Sequence, residues 1–151
     1  MSDNLNELAT WAAPLMAKLS GQERRAMMRE LATGLRKRQS DRIKAQQNPD
    51  GSAYVPRKPQ VLIRSKQGRI KQKLFNKLTK ASFLKTAVTE GSAAVGFTDR
   101  TARIARVHQF GLRDRVSQYR ASYDYPKREL LGFSDGDSEW LRDFLIDHLT
   151  A

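Results

Sequence analysis

An α+β fold, with an N-terminal helical pair, a small mainly antiparallel sheet and a C-terminal helix, is predicted by three features of this sequence. Apolar residues recur at three- and four-residue spacing through the N-terminal stretch, the mark of amphipathic helices. Two short runs flank "TEGS" in the manner of a β-hairpin. The last amphipathic stretch, "SDGDSEWLRDFLIDHL", opens on helix-start residues. At 151 residues the chain is the size of one domain with a real core. Its parts read as a helical pair (1–47), a basic extended arm (48–73) and an α+β core (74–151).

In "LNELATWAAPLMAKL", Leu5, Leu8, Ala12, Leu15, Met16 and Leu19 form one stripe. Pro14 has no backbone donor, so a kink or break is expected there. "SGQE" starts a second helix, with Ser20 as cap and Glu23 closing a capping box. Met27, Met28, Leu31, Leu35 and Ile43 carry its apolar stripe, while Arg24, Arg25, Arg29, Arg36, Lys37 and Arg38 are assigned to the outer face. "NPDG" is turn chemistry that stops the helix. From there to Gly68 the content of Pro, Ser, Gly and Lys reads as an extended arm or loop.

Leu74, Phe75 and Leu78 are expected to face inward on one or two helical turns. "SFLKTAVTEGSAAVGF" is the hairpin. "TDRTARIARVHQFG" reads as a helix capped by Thr98 or Asp99, with Ile104, Val107 and His108 on one face and Gly111 as the left-handed stop. "VSQYRASYDYP" is a further strand, and "ELLGF" either a strand or a docking segment. The final helix buries Trp140, Leu141, Phe144, Leu145 and Leu149.

The chain has no cysteine, which excludes disulfides, thiol catalysis and cysteine metal sites. Its two histidines, His108 and His148, belong to no ligand motif, and no glycine-rich phosphate loop occurs. Neither metal nor cofactor is expected. No apolar run approaches the ~20 residues of a membrane span, and no basic region followed by an apolar stretch opens the chain, so no signal peptide and no membrane partner are expected. Within "TARIARVHQFG", His108 is read as structural, its ring facing the negative pole of a helix end. Gln109 serves similar carbonyls, and Phe110 anchors the turn in the core. No nucleophile motif accompanies them, so no enzymatic activity is expected. Asp135 and Asp137 sit where helix-start chemistry accounts for them.

Charge is the strongest chemical signal. The formal net charge is +12. Between Gly51 and Thr89 there are ten Lys or Arg and no Asp or Glu, while from Asp135 onward there are five acids and one Arg. Either this is a solubilising face or it meets an anionic partner, nucleic acid or an acidic protein surface. The candidate partner-binding residues are Arg57, Lys58, Arg64, Lys66, Arg69, Lys71 and Lys73, with Lys77 beside them. Contact with phosphates through these would be salt-dependent. Tyr54 and Phe75 alone interleave them, which is thin for base stacking. A basic nucleic-acid-binding protein is therefore the alternative reading, although no helix-turn-helix, RNA-binding motif or zinc finger is present.

Three stretches in order, "NPDGSAYVPRK", "ARIARVHQFG" and "YDYPKRELLGFSDGD", with a basic arm between the first two, resemble the phage virion morphogenesis family, the tail completion proteins of contractile-tailed bacteriophages. The resemblance spans essentially the whole chain. It implies a non-enzymatic protein at the head-proximal end of the tail that allows head–tail joining. Its implied partners are tail and neck proteins (tail terminator, tube or sheath, head–tail connector), with a homo-oligomeric ring, hexamer favoured, and a contact with DNA open. It implies a place in the virion, at the tail and neck, and in the host cytoplasm during assembly. The family commonly reads Pro-Ala-Arg-Pro before the apolar run, whereas this chain has Pro126-Lys127-Arg128-Glu129.

Overall fold

Two helices, α1 (Ser2–Met16) and α2 (Gly21–Lys44), open the computed structural model, which describes residues 2–56, 73–115 and 122–150, without the side chains of residues 2–4 and Asp99. Pro14 lies inside α1 and does not break it, because in the last turn its missing donor removes one bond rather than the ladder. At the start of α2, Ser20 Oγ accepts from the Glu23 N–H at 3.1 Å. Glu23 Oε1 in turn accepts from the Ser20 hydroxyl instead of the cap's backbone N–H, so only half of the expected box forms.

A 3-10 turn (Asn76–Thr79) leads into the hairpin of β1 (Leu84–Val88) and β2 (Ala93–Phe97), paired antiparallel from Leu84↔Phe97 to Val88↔Ala93. The loop between them closes through Thr89 N–H to Ser92 O at 2.9 Å and through the two hydroxyls at 2.7 Å. Helix α3 (Asp99–Phe110) follows, then a second antiparallel pair, β3 (Arg113–Arg115) and β4 (Ser122–Asp124), and finally α4 (Asp135–Leu149). The fold class is the expected α+β, with its sheet divided into two separate two-stranded pairs. Of the strand read in "VSQYRASYDYP", β4 is described and residues 116–121 lie outside the described residues.

The stripe of α2 joins two apolar clusters. Met27, Met28, Leu31 and Leu35 meet Ala12 of α1 and Leu145 of α4, with Trp140, Phe144 and the hairpin's Val88 and Val95 packed around them. Ile43, with no exposed surface, belongs to the second cluster with Tyr54, Leu74, Leu78, Ala105 and Leu130. Full burial of side chains of this size stabilises by about 1.5–3 kcal/mol each. Two cations assigned to the outer face of α2 turn inward instead. Arg36 Nε donates to Leu84 O at 2.6 Å and a terminal nitrogen to Thr79 O at 3.0 Å, since its long stem reaches from the helix edge to the start of β1. Arg38 donates to Asp137 at 2.6 Å.

Two apolar residues of α3 also depart from expectation. Ile104 is half exposed, and Phe110, at 61% exposed, does not anchor the turn in the core. The inward face is set by Thr101, Ala105 and His108 at helical spacing, which places Phe110 on the far side of the cylinder.

The approach of α4 to α2 is close. Trp140 lies over Gly34, where an added Cβ would overlap ring atoms Cζ2 and Cη2. In an isolated helix Gly→Ala stabilises by about 1 kcal/mol. Here Gly34→Ala is expected to destabilise by about 1–3 kcal/mol, because the ring must move within a packed cluster. Urea denaturation at neutral pH checks this, and a variant more stable than the parent would contradict the packing of Trp140 on Gly34.

Candidate partner-binding site

Of the predicted contact residues, Arg57, Lys58, Arg64, Lys66, Arg69 and Lys71 lie outside the described residues, and Lys73 is described and exposed. What the structure describes is the base from which residues 57–72 depart and to which they return. Residues 48–56, read as the start of the arm, are tied down. Asn48 N–H donates to Ser52 O at 2.8 Å, the Gly51 N–H to Asn48 O at 2.9 Å, and the Tyr54 N–H to Gln46 O at 2.8 Å. Tyr54 is buried, and its hydroxyl donates to Glu129 O at 2.9 Å. Burial pushes that phenol up to about 12, so it stays a donor at any ordinary pH.

Polar side chains clamp both ends of the basic segment. On the outgoing side, Arg128 Nε donates to Val55 O at 2.8 Å and a terminal nitrogen to Pro56 O at 3.2 Å. On the returning side, Gln46 makes a two-way pair with the Leu74 backbone, Leu74 N–H to Oε1 at 2.7 Å and Nε2–H to Leu74 O at 2.8 Å. Gln46 (φ 60°) and Phe75 (φ 66°) flank this second clamp and are the non-glycine residues with left-handed backbone among the described residues. Such conformations cost of order 1 kcal/mol or more each and persist where surroundings enforce them. Tyr54 and Phe75 then meet edge to face, ring centroids 5.7 Å apart, holding the two ends side by side. The only aromatics that interleave the basic run are thus spent on its base, away from stacking with nucleotides.

"VHQFG" completes the base. The His108 ring packs edge-on against Phe75 at 4.7 Å and Tyr125 at 5.0 Å. A guanidinium can only donate, so at 3.3 Å from Arg128 the His108 Nδ1 is an acceptor. Burial, and then the Arg128 charge, lower this histidine to about 4, so the ring is neutral at pH 7. The expectation of a ring facing the helix pole is therefore corrected. The backbone carbonyl of His108 is served by Gly111 N–H at 3.3 Å and Arg128 N–H at 2.7 Å, and no protonated imidazole is needed there.

Gln109 is the second clamp of the motif. Its Oε1 accepts from Leu130 N–H at 2.8 Å and Leu131 N–H at 2.9 Å, while Nε2 donates to Leu131 O at 2.8 Å. "ELLGF" is accordingly a docked segment and not a strand. Glu129, the departure from the family pattern, donates its N–H to Asn48 Oδ1 at 2.8 Å, a bond that proline cannot make.

Reasoning from sequence missed Gln46, Asn48 and Arg128 as the residues that hold this base. A polar residue inside "NPDG"-type turn chemistry looks local, and nothing in its spacing shows that Asn48 or Gln46 reaches a segment far along the chain. Among the described residues no group of three His, Asp or Glu could hold a metal ion, and no helix is long and apolar enough to cross a membrane. The arrangement ties both flanks of an acid-free, cation-rich stretch to one aromatic base.

Comparison with known proteins covers almost the whole chain. A model described as the phage virion morphogenesis family matches residues 3–150. Tail completion protein S of Escherichia phage P2 is 39% identical over 136 residues, covering 89% of this chain and 90% of that protein. No solved structure matches.

The neutral histidine predicts a pH dependence of known sign. In the unfolded chain His108 protonates near 6.5, in the folded one near 4. Its contribution to stability is full above 6.5 and is lost as pH falls toward 4. His148 acts in another window. Burial, the largest single effect, lowers it, but the hydrogen bonds to Phe144 O and the Glu30 carboxylate and the charges of Glu30 and Asp147 together outweigh burial and raise it. Its contribution is therefore present below 6.5 and fades as pH rises. Between pH 6.5 and 4.5 the urea midpoint of the parent should fall, and His108→Gln, which does not titrate, should flatten that fall. Equal slopes in the two proteins would refute the neutral, buried imidazole.

Proposed function

The chain belongs to the phage virion morphogenesis family, and from that premise we propose that it is a structural protein that completes the head-proximal end of a phage tail and makes the tail competent to join the head. The observation that carries this reading is the near-end-to-end similarity to a tail completion protein, which leaves no large part of either chain unaccounted for. The site supports it too: rigid base, clamped ends and an acid-free run of cations are what a docking protein needs, and His108 is committed to packing and to accepting from Arg128.

In this reading the protein acts without enzymatic chemistry, in the virion at the tail and neck after assembly in the host cytoplasm. Its neighbours are the tail terminator, tube or sheath and the connector. A tail is a stack of six-fold rings, so copies of this chain, each making the same heterologous contact, meet it most simply as a closed hexameric ring. The basic residues from Arg57 to Lys73 then face an acidic neighbour or the DNA near the portal.

Deleting the gene from a producing strain should leave filled heads beside separate, unjoined tails in negative-stain micrographs. Reversing charge at Arg64, Lys66 and Arg69 together should reduce infectious titre without shifting the melting temperature of the purified protein. Normal infectious particles from the deletion strain would end the tail-completion reading. Tight, salt-sensitive DNA binding by the isolated protein would then favour the nucleic-acid reading, which rests on the same acid-free run.

A further inference from the structure

On the side of the molecule formed by α1 and α4 lies a groove of about 890 Å³. Its apolar lining is Leu5, Leu8, Trp11 and Ile146, and its charged lining is Glu7, Asp135 and Glu139 against the single Arg142. Trp11 and Ile146 are each 40% exposed, although Ala12 and Leu145 beside them are in the core. A large aromatic and a branched aliphatic left open in one channel mark a surface that something covers. In a chain of net charge +12, a groove whose ionisable lining is mainly carboxylate is also the reverse of the average surface.

One segment of the same chain has the complementary pattern. In residues 57–72, "RKPQVLIRSKQGRIKQ", the apolar run Val61-Leu62-Ile63 stands between Arg57-Lys58 and Arg64, with Lys66 beyond and no acid anywhere. An apolar centre with cations on both sides matches a lining of apolar side chains and carboxylates, and opposite charges would set register. Groove and clamps belong to different parts of the molecule. α1 and Leu145 pack in the first apolar cluster, whereas Tyr54 and Leu74, at the two ends of the segment, pack in the second.

We propose that the groove between α1 and α4 is the seat of residues 57–72 of a neighbouring copy, so that each subunit offers its basic segment to the next. This rests on the ring described above and names its contact. The donor patch and the acceptor groove are different surfaces, which makes the contact heterologous and lets it close into a ring.

The absence of cysteine allows a direct test. Glu139→Cys and Arg64→Cys are made as separate full-length proteins, mixed at concentrations where the parent self-associates, and treated with a short bismaleimide. The expected product is a covalent heterodimer in the mixture, and a ladder of linked chains from the doubly substituted protein. Neutralising the groove with Glu7→Gln, Asp135→Asn and Glu139→Gln should raise the concentration needed for association at least tenfold with the melting temperature unchanged.

An internally closed monomer from the doubly substituted protein would assign the groove to the chain's own segment and overturn the proposal. So would an oligomer that gives no link, or a protein that stays monomeric at all concentrations reached. If the unlinked oligomer still rescues a deletion phage, the tail role stands and this seat falls. If the link forms but deletion leaves infectivity intact, the seat stands and the tail role falls.

Discussion

Arg42 and Asp137 face each other at 2.8 Å with almost no exposed side-chain surface, and α2, the start of α4 and the segment before it converge on that pair, leaving Arg42 Nε as the pair's buried nitrogen without a hydrogen-bond partner among the described residues. Removing two charges from water costs several kcal/mol per ion, which is recovered only with good geometry and further hydrogen bonds. Here the other bonds come from α2, from the cap of α4 and from the segment that precedes it. Asp137 also accepts from Arg38 and from the Ser134 N–H at 3.0 Å, as part of a complete capping box at the start of α4. Arg42 also donates to Gln39 and to Leu130 O, and Gln39 accepts from the Gly132 N–H at 3.1 Å. Burial alone would raise the Asp137 carboxyl, but these donors and the two guanidinium groups hold it below the usual carboxylate range. One carboxylate thereby fixes where α4 begins, how residues 130–134 lie and which way the end of α2 faces.

The base of the basic segment is built outward from that point. Residues 130 and 131, held on one side by Arg42, are held on the other by Gln109. Arg128 and Glu129, just before them, reach residues 55, 56 and 48. A chain of polar contacts thus runs from the α2–α4 junction through the docked segment to both ends of residues 57–72. The aromatic rings of Tyr54, Phe75, His108 and Tyr125 fill the space beneath it. Neutral His108 suits this position: a protonated ring beside Arg128 would place two buried cations in contact.

Periodicity made the helices, the hairpin and the α2 stripe legible, because burial of one face imposes a spacing that a single sequence displays. Met27, Met28, Leu31, Leu35 and Ile43 are all in the core as their spacing requires. Turn chemistry was legible for the same local reason: Gly111 takes φ 61° at the end of α3, and Ser134 caps α4. Contacts across sequence distance were not legible. Arg36 and Arg38 fall on the polar side of a helical wheel, yet their stems carry the charge to Leu84 and Asp137. Arg42, Gln39 and Ile43 share the inner side of α2, and a cation there is a signal that a buried carboxylate must exist elsewhere, though not which one. Phe110 misled because size and apolarity suggest a core residue, while its angular position relative to Ala105 decides otherwise.

Gln46 and Arg128 hold the backbone on either side of residues 57–72, at Leu74 and at Val55 and Pro56, so the body of the molecule carries its own anchorage for that segment. Lengthening a closed loop is thermodynamically mild, about 0.6 kcal/mol for each doubling. Among the described residues, the two apolar clusters and the Arg42–Asp137 pair are assembled from side chains outside that span. The architecture thus separates inheritance from innovation. The clamps and the buried pair are under the constraint of folding, and the span between them is under the constraint of whatever it meets. One scaffold can thus carry different spans between the same two clamps.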